Sequence, residues 1–358
     1  MACPRYDQGE MTPVAPSSIG AGDIVDLRSD TVTRPTPEMR RAMADADVGD
    51  DGYGEDPTVA ELEDEFAERV GKEAALYVPS GTMANQIALR VLAEPGTAVI
   101  AGRRQHLVAY ETGAGARNAA VQFHTVSDER GLVAPADVSH AIDLAGYHQP
   151  AVSLICIENT HMASGGAVWT LADLEPVHAA AGGLPVHLDG ARLFNAEVAT
   201  GTSAAELSAP ATTVMTCLSK GLCAPVGSVL AGPVDVIDQG RVERKRLGGA
   251  MRQAGVIAAA GLVGLRSMVE RLAEDHVRAR RLAEAVAERW PAAGCEPADV
   301  RTNLVVFSPP DSGALIDHLA ANGVLGGLIA PGVVRLVTHH DVDDEGIERA
   351  CSAIAKAP

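Results

Sequence analysis

The chain has 358 residues, of which 47% are hydrophobic and 21% charged, with a formal net charge of −18. This length exceeds what one hydrophobic core usually supports, so we expect two domains in a globular protein. The acidic charge argues against nucleic acid or an anionic membrane surface as a partner, because both would repel it. No apolar run approaches about 20 residues, so no transmembrane helix is predicted.

Cysteine usage indicates the compartment. The six cysteines are scattered without a C-x-x-C pair, at Cys3, Cys156, Cys217, Cys223, Cys295 and Cys351. Several follow apolar residues, which is typical of small buried hydrophobic side chains and not of a disulfide framework or a zinc site. We therefore expect a cytoplasmic protein without a bound metal ion.

The first predicted elements follow an N-terminal segment, residues 1–23, for which no helix or strand is predicted. Residues 1–23 are rich in Pro, Gly, Ser and Ala and lack a hydrophobic signal core, which predicts a disordered N-terminal extension. Order is predicted from Ile24. The Thr-Pro pair at 36–37 predicts the start of a helix. Thr58 is the expected N-cap of the next helix, with Glu61 completing a capping box.

Short apolar runs then alternate with helical patterns, the runs being AALYVPS, TAVIAG, AVSLICIENT, LPVHLD, TTVMTCLSK and GSVLAG. Strands separated by helices of about 10–15 residues predict a mostly parallel sheet covered by helices, the α/β class. A long helix over MVERLAEDHVRARRLAEAVAERW is followed by two strands and two helices, which predict a small α+β domain. We assign residues 24–265 to an N-terminal segment and the large domain, and residues 266–358 to the small C-terminal domain.

Two of the predicted strands end in reactive side chains. VHLDGAR puts Asp189 and Arg192 after one strand, and TVMTCLSKG puts Lys220 after the next. Ligands of open parallel sheets bind beyond the carboxyl ends of the strands. A lysine that forms an imine, a carboxylate for the ring nitrogen and an arginine within reach of the ring oxygen indicate a site for pyridoxal 5′-phosphate (PLP).

The SGTMAN segment, Ser80–Asn85, joins a predicted strand to a predicted helix. Backbone N–H groups and the helix dipole favour an anion there, and Gly81 leaves room for a phosphate. An ordinary strand–helix turn is the alternative. The segment is not a G-x-x-x-x-G-K-[ST] loop, and the chain contains no G-x-S-x-G, so neither a nucleoside triphosphatase nor a serine hydrolase is supported.

Further candidates follow other strands. His106 comes after TAVIAG, where its ring can stack on a pyridine face, and Tyr110 stands four residues on. His161, in ENTH, reaches the same sheet edge, so two histidines are available as a base near neutral pH. Arg335 suits a substrate α-carboxylate, and Ser29 can add a hydroxyl contact. Structural histidines, a surface ion pair and a turn remain the alternatives.

Together these motifs resemble the low-specificity L-threonine aldolases, PLP enzymes of the aspartate-aminotransferase fold (fold type I) in the β-eliminating lyase superfamily. The matching stretches are DLRSDTVTRPT, VGDDGYGEDPT, GKEAALYVPSGTMAN, ENTH, VHLDGARLFNA, CLSKGLCAPVGSV, LGGAMRQAG and RLVTH. The resemblance covers nearly everything from Ile24 onward. Two positions depart from the family pattern: Met162 follows ENTH where Asn is common, and Ala250 replaces a glycine of LGGGM.

The resemblance implies retro-aldol cleavage of L-threonine, L-allo-threonine and other β-hydroxy-α-amino acids to glycine and an aldehyde. The implied catalytic residues are Lys220, His106, His161 and Asp189. The implied cofactor-binding residues are Ser80, Gly81, Thr82, His106, Asp189, Arg192, Lys220 and Arg252. The implied substrate-binding residues are Ser29, Tyr110, His161, Arg192, Lys245 and Arg335.

The resemblance also implies a homotetramer built from dimers, with active sites between two subunits and with Lys245 and Arg252 contributed by the neighbour. Some relatives bind a metal ion near the threonines that match Thr31 and Thr33, but we expect none here. Another PLP reaction on the same fold (β-elimination, racemisation or transaldol transfer) remains the alternative, as does a PLP-binding module without turnover. Glycine and aldehyde as products, without a keto acid, would favour the aldolase.

Overall fold

The computed structural model describes residues 24–358, so the predicted N-terminal extension lies outside the described residues. The described chain forms two compact units. One is Thr33–Ala273, and the other combines residues 24–32 with Glu274–Pro358. Across the described range, no helix is both long and apolar enough to cross a membrane.

The strands and helices alternate over most of the chain. The strands are β1 (Val25–Asp26), β2 (Ala74–Val78), β3 (Ala98–Gly102), β4 (Gln122–Val126), β5 (Val152–Glu158), β6 (Val186–Asp189), β7 (Thr213–Cys217), β8 (Ser228–Gly232), β9 (Leu304–Phe307), β10 (Val324–Leu325), β11 (Gly327–Ala330) and β12 (Val333–Val337). The helices are α1 (Pro37–Asp45), α2 (Pro57–Arg69), α3 (Gly81–Leu92), α4 (His106–Ala109), α5 (Pro135–Asp143), α6 (Leu171–Ala180), α7 (Leu193–Thr200), α8 (Ala204–Ser208), α9 (Val234–Arg246), α10 (Gly255–Ser267), α11 (Leu272–Arg289), α12 (Ser312–Ala321) and α13 (Asp344–Ala355).

The larger unit is built on a seven-stranded sheet in the order β2-β8-β7-β6-β5-β3-β4. Strand β8 runs antiparallel to both of its neighbours, and the pairs from β7 to β4 are parallel. This confirms the predicted α/β class and the mostly parallel sheet. Strands β3, β6 and β7 are buried along their whole length, which explains why they read as continuous apolar runs and not as alternating patterns.

Two helix starts show how local chemistry sets the boundaries. Helix α1 begins at the Thr-Pro pair as predicted, and Thr36 is its cap, with its hydroxyl accepting from the Met39 N–H at 3.2 Å. The predicted Thr58 cap of α2 is wrong, because the helix begins two residues earlier and Asp56 accepts from the Val59 N–H at 3.0 Å. Pro57 has a φ preset for the first helical position, so an aspartate directly before it is the better cap.

The smaller unit contains the antiparallel sheet β11-β12-β9 and the parallel pair β1-β10. Its core packs Trp290 on Phe307, whose ring centroids are 6.1 Å apart, together with Leu336 and residues of α11 and α13. The pairing of β1 with β10 groups residues 24–32 with the C-terminal segment, whereas the sequence prediction grouped the N-terminal segment with the large domain.

Candidate active site

A cavity of about 170 Å³ opens in the larger unit where the parallel strands end. Strands β2, β3, β5, β6 and β7 point their carboxyl ends to this edge, as expected for a ligand site in an open parallel sheet. The predicted site residues that line the cavity are Ser80, Gly81, Thr82, His106, Asp189, Arg192 and Lys220. Residues outside the predicted catalytic and binding set also line it, among them Asn85, Glu158, Met162 and Ser219.

Asp189 and Lys220 come from neighbouring strands, β6 and β7. Asp189 is the last residue of β6 and is only 1% exposed. Its Oδ1 accepts from the Ala191 N–H at 3.1 Å, which fixes the carboxylate at the strand end. Lys220 follows the end of β7, and the Thr33 hydroxyl donates to its carbonyl at 2.9 Å. The amine and the buried carboxylate therefore share one cavity.

The predicted anion site is the start of α3. Ser80 is the N-cap, and its hydroxyl accepts from the Met83 N–H at 3.2 Å. A helix leaves its first N–H groups without partners inside the helix, so Gly81 and Thr82 present N–H groups to an anion. A Cβ on Gly81 would lie 2.8 Å from Sγ of Cys217, which also lines the cavity, so only glycine fits here.

His106 begins α4 and keeps 36% of its side chain exposed. Burial alone would lower the pKa of His106, but the hydrogen bond to Glu111 and the charge of Asp189 outweigh it and raise that pKa. The Nδ1 of His106 lies 3.2 Å from Oε1 of Glu111. The ring of Tyr110 stacks beside His106 with 5.7 Å between centroids.

A buried hydrogen-bond network behind Asp189 was missed by sequence reasoning. The side-chain nitrogen of Asn85 donates to Asp189 and to Glu111, each at 2.8 Å, and its oxygen lies 3.0 Å from Nε2 of His187. Burial lowers the pKa of His187 to about 4. Asn85 stands four residues after Gly81 and so shares a helix face with the anion site, which is the one signal that pointed to it.

His161 occupies a different position from the one expected. Its ring is fully buried, and Nε2 lies 3.0 Å from Oδ2 of Asp128. Within the described chain, His161 does not line the cavity, although Glu158 and Met162 on either side of it do. Its Nδ1 has no hydrogen-bond partner among the described residues.

The remaining predicted residues lie elsewhere. Lys245 and Arg252 line a separate cavity of about 650 Å³ in the larger unit, and 76% of the Arg252 side chain is exposed. Ser29 and Arg335 belong to the smaller unit, where Ser29 accepts from the Thr31 hydroxyl at 2.9 Å and Arg335 donates to a backbone carbonyl at 3.0 Å. Residues 24–358 contain no group of three or more His, Cys, Asp or Glu side chains placed to hold a metal ion.

The cavity suits PLP on chemical grounds. The carboxylate of Asp189, which is only 1% exposed, is a suitable partner for a protonated ring nitrogen. The amine of Lys220, in the same cavity, can form a bond with the aldehyde. The start of α3 offers N–H groups to the phosphate, and the missing side chain of Gly81 leaves the approach open. The donor set at the strand ends therefore matches the ring, the aldehyde and the phosphate of this cofactor.

Comparisons with known proteins agree with this chemistry. The β-eliminating lyase family model matches residues 26–309. The low-specificity L-threonine aldolase 1 of Arabidopsis thaliana is 41% identical over 344 residues, covering 93% of this chain and 96% of that protein. The low specificity L-threonine aldolase of Escherichia coli K12 is 40% identical over 327 residues, covering 90% and 96%. The threonine aldolase structure from Leishmania major is similar in fold, with a TM-score of 0.79, 22% identity and coverage of 92% and 98%.

Proposed function

Because this chain belongs to the β-eliminating lyase family and, within it, to the low-specificity L-threonine aldolases, we propose that it cleaves L-threonine to glycine and acetaldehyde with PLP as cofactor. The proposal extends to L-allo-threonine and other β-hydroxy-α-amino acids, which give glycine and the corresponding aldehyde. The observation that carries it is that Asp189 and Lys220, a buried carboxylate and an amine, line the same cavity.

Bound PLP supplies an electron sink for the electrons of the breaking Cα–Cβ bond. In our proposal Lys220 holds the cofactor covalently through its amine. Asp189 faces the ring nitrogen and keeps it protonated, and Arg192 hydrogen-bonds the ring oxygen. The N–H groups of Gly81 and Thr82, together with Ser80, bind the phosphate. This preorganisation supports the reaction because the charges that develop meet fixed partners.

The proposed contacts to the substrate are those that the family resemblance implies. We propose that Ser29 and Arg335 bind its carboxylate, with Tyr110 and Arg192 as further contacts. His106 covers the ring face, and His106 or His161 takes the proton of the β-hydroxyl group. A positioned base of this kind is typically worth about 10²–10⁴-fold in rate.

We propose that the enzyme is a cytoplasmic homotetramer built from dimers, in which Lys245 and Arg252 serve the active site of the neighbouring subunit. Two observations support this role. Both residues line a cavity other than the one that contains Lys220, and most of the Arg252 side chain is exposed. The guanidinium of Arg252 lies 3.4 Å from Oδ2 of Asp50.

Product analysis tests the reaction. The purified enzyme, with and without added PLP, is incubated with L-threonine, L-allo-threonine and L-phenylserine. Equal amounts of glycine and aldehyde are expected, and a keto acid with ammonia instead would overturn the proposal.

Borohydride reduction tests the covalent link. Peptide mass analysis is expected to find a pyridoxyl group on Lys220 of the wild-type enzyme. Lys220→Ala should lack the group and have no turnover, whereas Lys356→Ala, at an exposed lysine of the C-terminal segment, should keep both. A pyridoxyl group on another lysine, or normal turnover of Lys220→Ala, would refute the assignment.

A further inference from the structure

Two histidine-bearing loops of the larger unit are tied together by two buried carboxylates. One loop follows β3 and contains His106, and the other follows β5 and contains His161. Strand β3 lies between β5 and β4 in the sheet, so the residues that end β5 and follow β4 flank the first loop. Those positions hold Glu158, the last residue of β5, and Asp128, two residues after β4.

Asp128 bonds to both loops. Its Oδ2 accepts from Nε2 of His161 at 3.0 Å and from the backbone N–H of Arg104 at 2.8 Å. Its Oδ1 lies 3.3 Å from Nε of Arg104, which forms an ion pair with it. Both the Asp128 and His161 side chains are fully buried, so this carboxylate has exchanged water for contacts that join the two loops.

Glu158 makes the same kind of bridge from the other side. Its Oε2 accepts from the backbone N–H of His106 at 2.6 Å, and its Oε1 accepts from the backbone N–H of Met162 at 2.8 Å. Glu158 is 3% exposed, and it lines the cavity together with His106 and Met162. Each carboxylate thus bonds both to the loop after β3 and to the loop after β5.

The backbone is shaped to admit Asp128. A Cβ on Gly102, at the end of β3, would lie 2.5 Å from Oδ2 of Asp128, a distance that side chains do not tolerate. The guanidinium of Arg104 also donates to the Asp128 carbonyl at 2.5 Å and to the Ser164 hydroxyl at 2.8 Å, which adds a further bond between the two loops.

The charge of Asp128 determines which ring nitrogen of His161 carries hydrogen. Burial alone would raise the pKa of Asp128, but the hydrogen bonds from His161 and Arg104 outweigh it and lower that pKa, so the group is ionised at neutral pH. An ionised carboxylate only accepts, and therefore Nε2 must donate. In the neutral ring Nδ1 then carries the lone pair, and Nδ1 is the atom that has no partner among the described residues.

We propose that Asp128 and Glu158 are positioning residues for the aldol cleavage: they hold the loops of His106 and His161 in one arrangement, and Asp128 keeps the hydrogen of His161 on Nε2. Nδ1 of His161 is thereby the atom that accepts a proton. This inference rests on the proposed function, because the histidines are the bases considered there. Asp128 acts through His161 and touches neither substrate nor cofactor.

A double-mutant cycle tests the action of Asp128 through His161. Asp128→Asn keeps the shape and an acceptor for the Arg104 N–H, but its amide nitrogen would face Nε2. We expect kcat for L-threonine to fall at least about tenfold, with KM changed less than about threefold. The loss cannot exceed that of His161→Ala, about 10²–10⁴-fold if His161 is the base.

In the His161→Ala background, Asp128→Asn should have no further effect on kcat, whereas equal losses in both backgrounds would overturn the proposal. The matched control is Glu129→Gln, which removes the same charge from the next, exposed residue and should leave kcat unchanged.

A second measurement does not depend on activity or on PLP. In ¹⁵N-histidine-labelled protein, the ring signals that vanish in His161→Ala identify His161, and they should show hydrogen on Nε2. In Asp128→Asn the hydrogen should move to Nδ1. The same tautomer in both proteins would overturn the role of Asp128. A wild-type chain without aldolase activity would refute the proposed function but leave this result unaffected.

Glu158→Gln tests the other bridge. The variant keeps one acceptor oxygen but turns an NH₂ group toward a backbone N–H. We expect amide hydrogen exchange of the segments containing His106 and Met162 to accelerate at least about tenfold, while Glu129→Gln leaves it unchanged. Unaltered exchange in Glu158→Gln would contradict the proposed bridge.

Discussion

The side-chain nitrogen of Asn85 lies 2.8 Å from Oδ2 of Asp189, and the same nitrogen lies 2.8 Å from Oε1 of Glu111. The amide group of Asn85 therefore donates one hydrogen to each of two buried carboxylates. Without this donor the two negative charges would share a poorly solvated space with fewer partners, which is costly. Asn85 thus gives both buried carboxylates a hydrogen-bond donor.

Replacement of Asn85 by alanine should destabilise the protein. Both carboxylates lose a charge-assisted hydrogen bond, and we expect the free energy of unfolding to fall by about 3 kcal/mol. Urea unfolding of the PLP-free protein at neutral pH measures this loss. Asn322→Ala is the control, because the Asn322 amide donates to the His318 carbonyl at an exposed site, and it should cost less than about 1 kcal/mol. Equal losses in the two variants would contradict the role of Asn85.

Gly81→Ala should damage the anion site through a steric clash. The new methyl group would lie 2.8 Å from Sγ of Cys217 and 2.9 Å from Cε of Met215, so the start of α3 must shift. Overpacking of this kind costs about 1–3 kcal/mol, and we also expect the dissociation constant for PLP to rise at least tenfold. Thermal unfolding and PLP titration measure the two effects.

The matched control is Gly313→Ala, in the first turn of α12, where the new Cβ would lie 3.5 Å from Oδ1 of Asp311, an ordinary van der Waals contact. That change should be neutral or slightly stabilising, since alanine favours helix over glycine. If Gly81→Ala unfolded and bound PLP as the wild type does, the anion site would not depend on close packing at Gly81.

The buried His187 should make the protein sensitive to mild acid. Burial lowers the pKa of His187 from 6.5 to about 4, so between these values the unfolded chain binds a proton that the folded chain does not. The contribution of neutral His187 to the free energy of unfolding is therefore fully present above pH 6.5. It falls by about 3 kcal/mol in total as the pH drops toward 4. The free energy of unfolding should be measured from pH 7 to pH 4.5.

His187→Gln, which retains polar atoms for Thr213 and Asn85, should flatten that dependence. Burial also lowers the pKa of His276, in the smaller unit, to about 4. His276→Gln should therefore remove a separate part of the pH dependence of the free energy of unfolding. A pH dependence that is the same in the wild type and in His187→Gln would show that His187 is not responsible.

The sequence predicted the residues that follow apolar strands, and it did not predict those that the sheet order brings together. Asp189 and Lys220 each end a recognisable apolar run, so their position at one sheet edge follows from parallel pairing alone. Asp128 and Glu158 are thirty positions apart and meet the same loops only because β3 lies between β5 and β4. Local patterns do not contain strand order, so this pair has no sequence signature.

The same reason accounts for β1. A two-residue strand that pairs with β10, almost three hundred residues away in sequence, has no periodicity to detect. His161 was expected at the cavity because it follows a strand end, but its buried ring bonds to Asp128 and does not line the cavity in the described part of the chain. Strand-end position thus limits where a residue lies, and the partners of its side chain decide where the ring points.

Met162 should influence which aldehyde the enzyme releases. It is 5% exposed, lines the cavity beside His106 and Glu158, and replaces the Asn that commonly follows ENTH in the family. A thioether favours contact with an aromatic substituent by about 0.3–1.5 kcal/mol, whereas an amide does not. We expect Met162→Asn to lower kcat/KM for L-phenylserine relative to L-threonine by about tenfold.

The conservative variant Met162→Leu separates polarity from shape, because leucine restores an apolar side chain of similar size. It should keep the ratio of the two kcat/KM values within about threefold of the wild type. A ratio that Asn and Leu change equally would mean that shape and not polarity controls the preference. If neither variant alters the ratio, the substituent of the substrate does not contact Met162. A side chain in contact with the phenyl group would change kcat/KM for L-phenylserine more than kcat/KM for L-threonine.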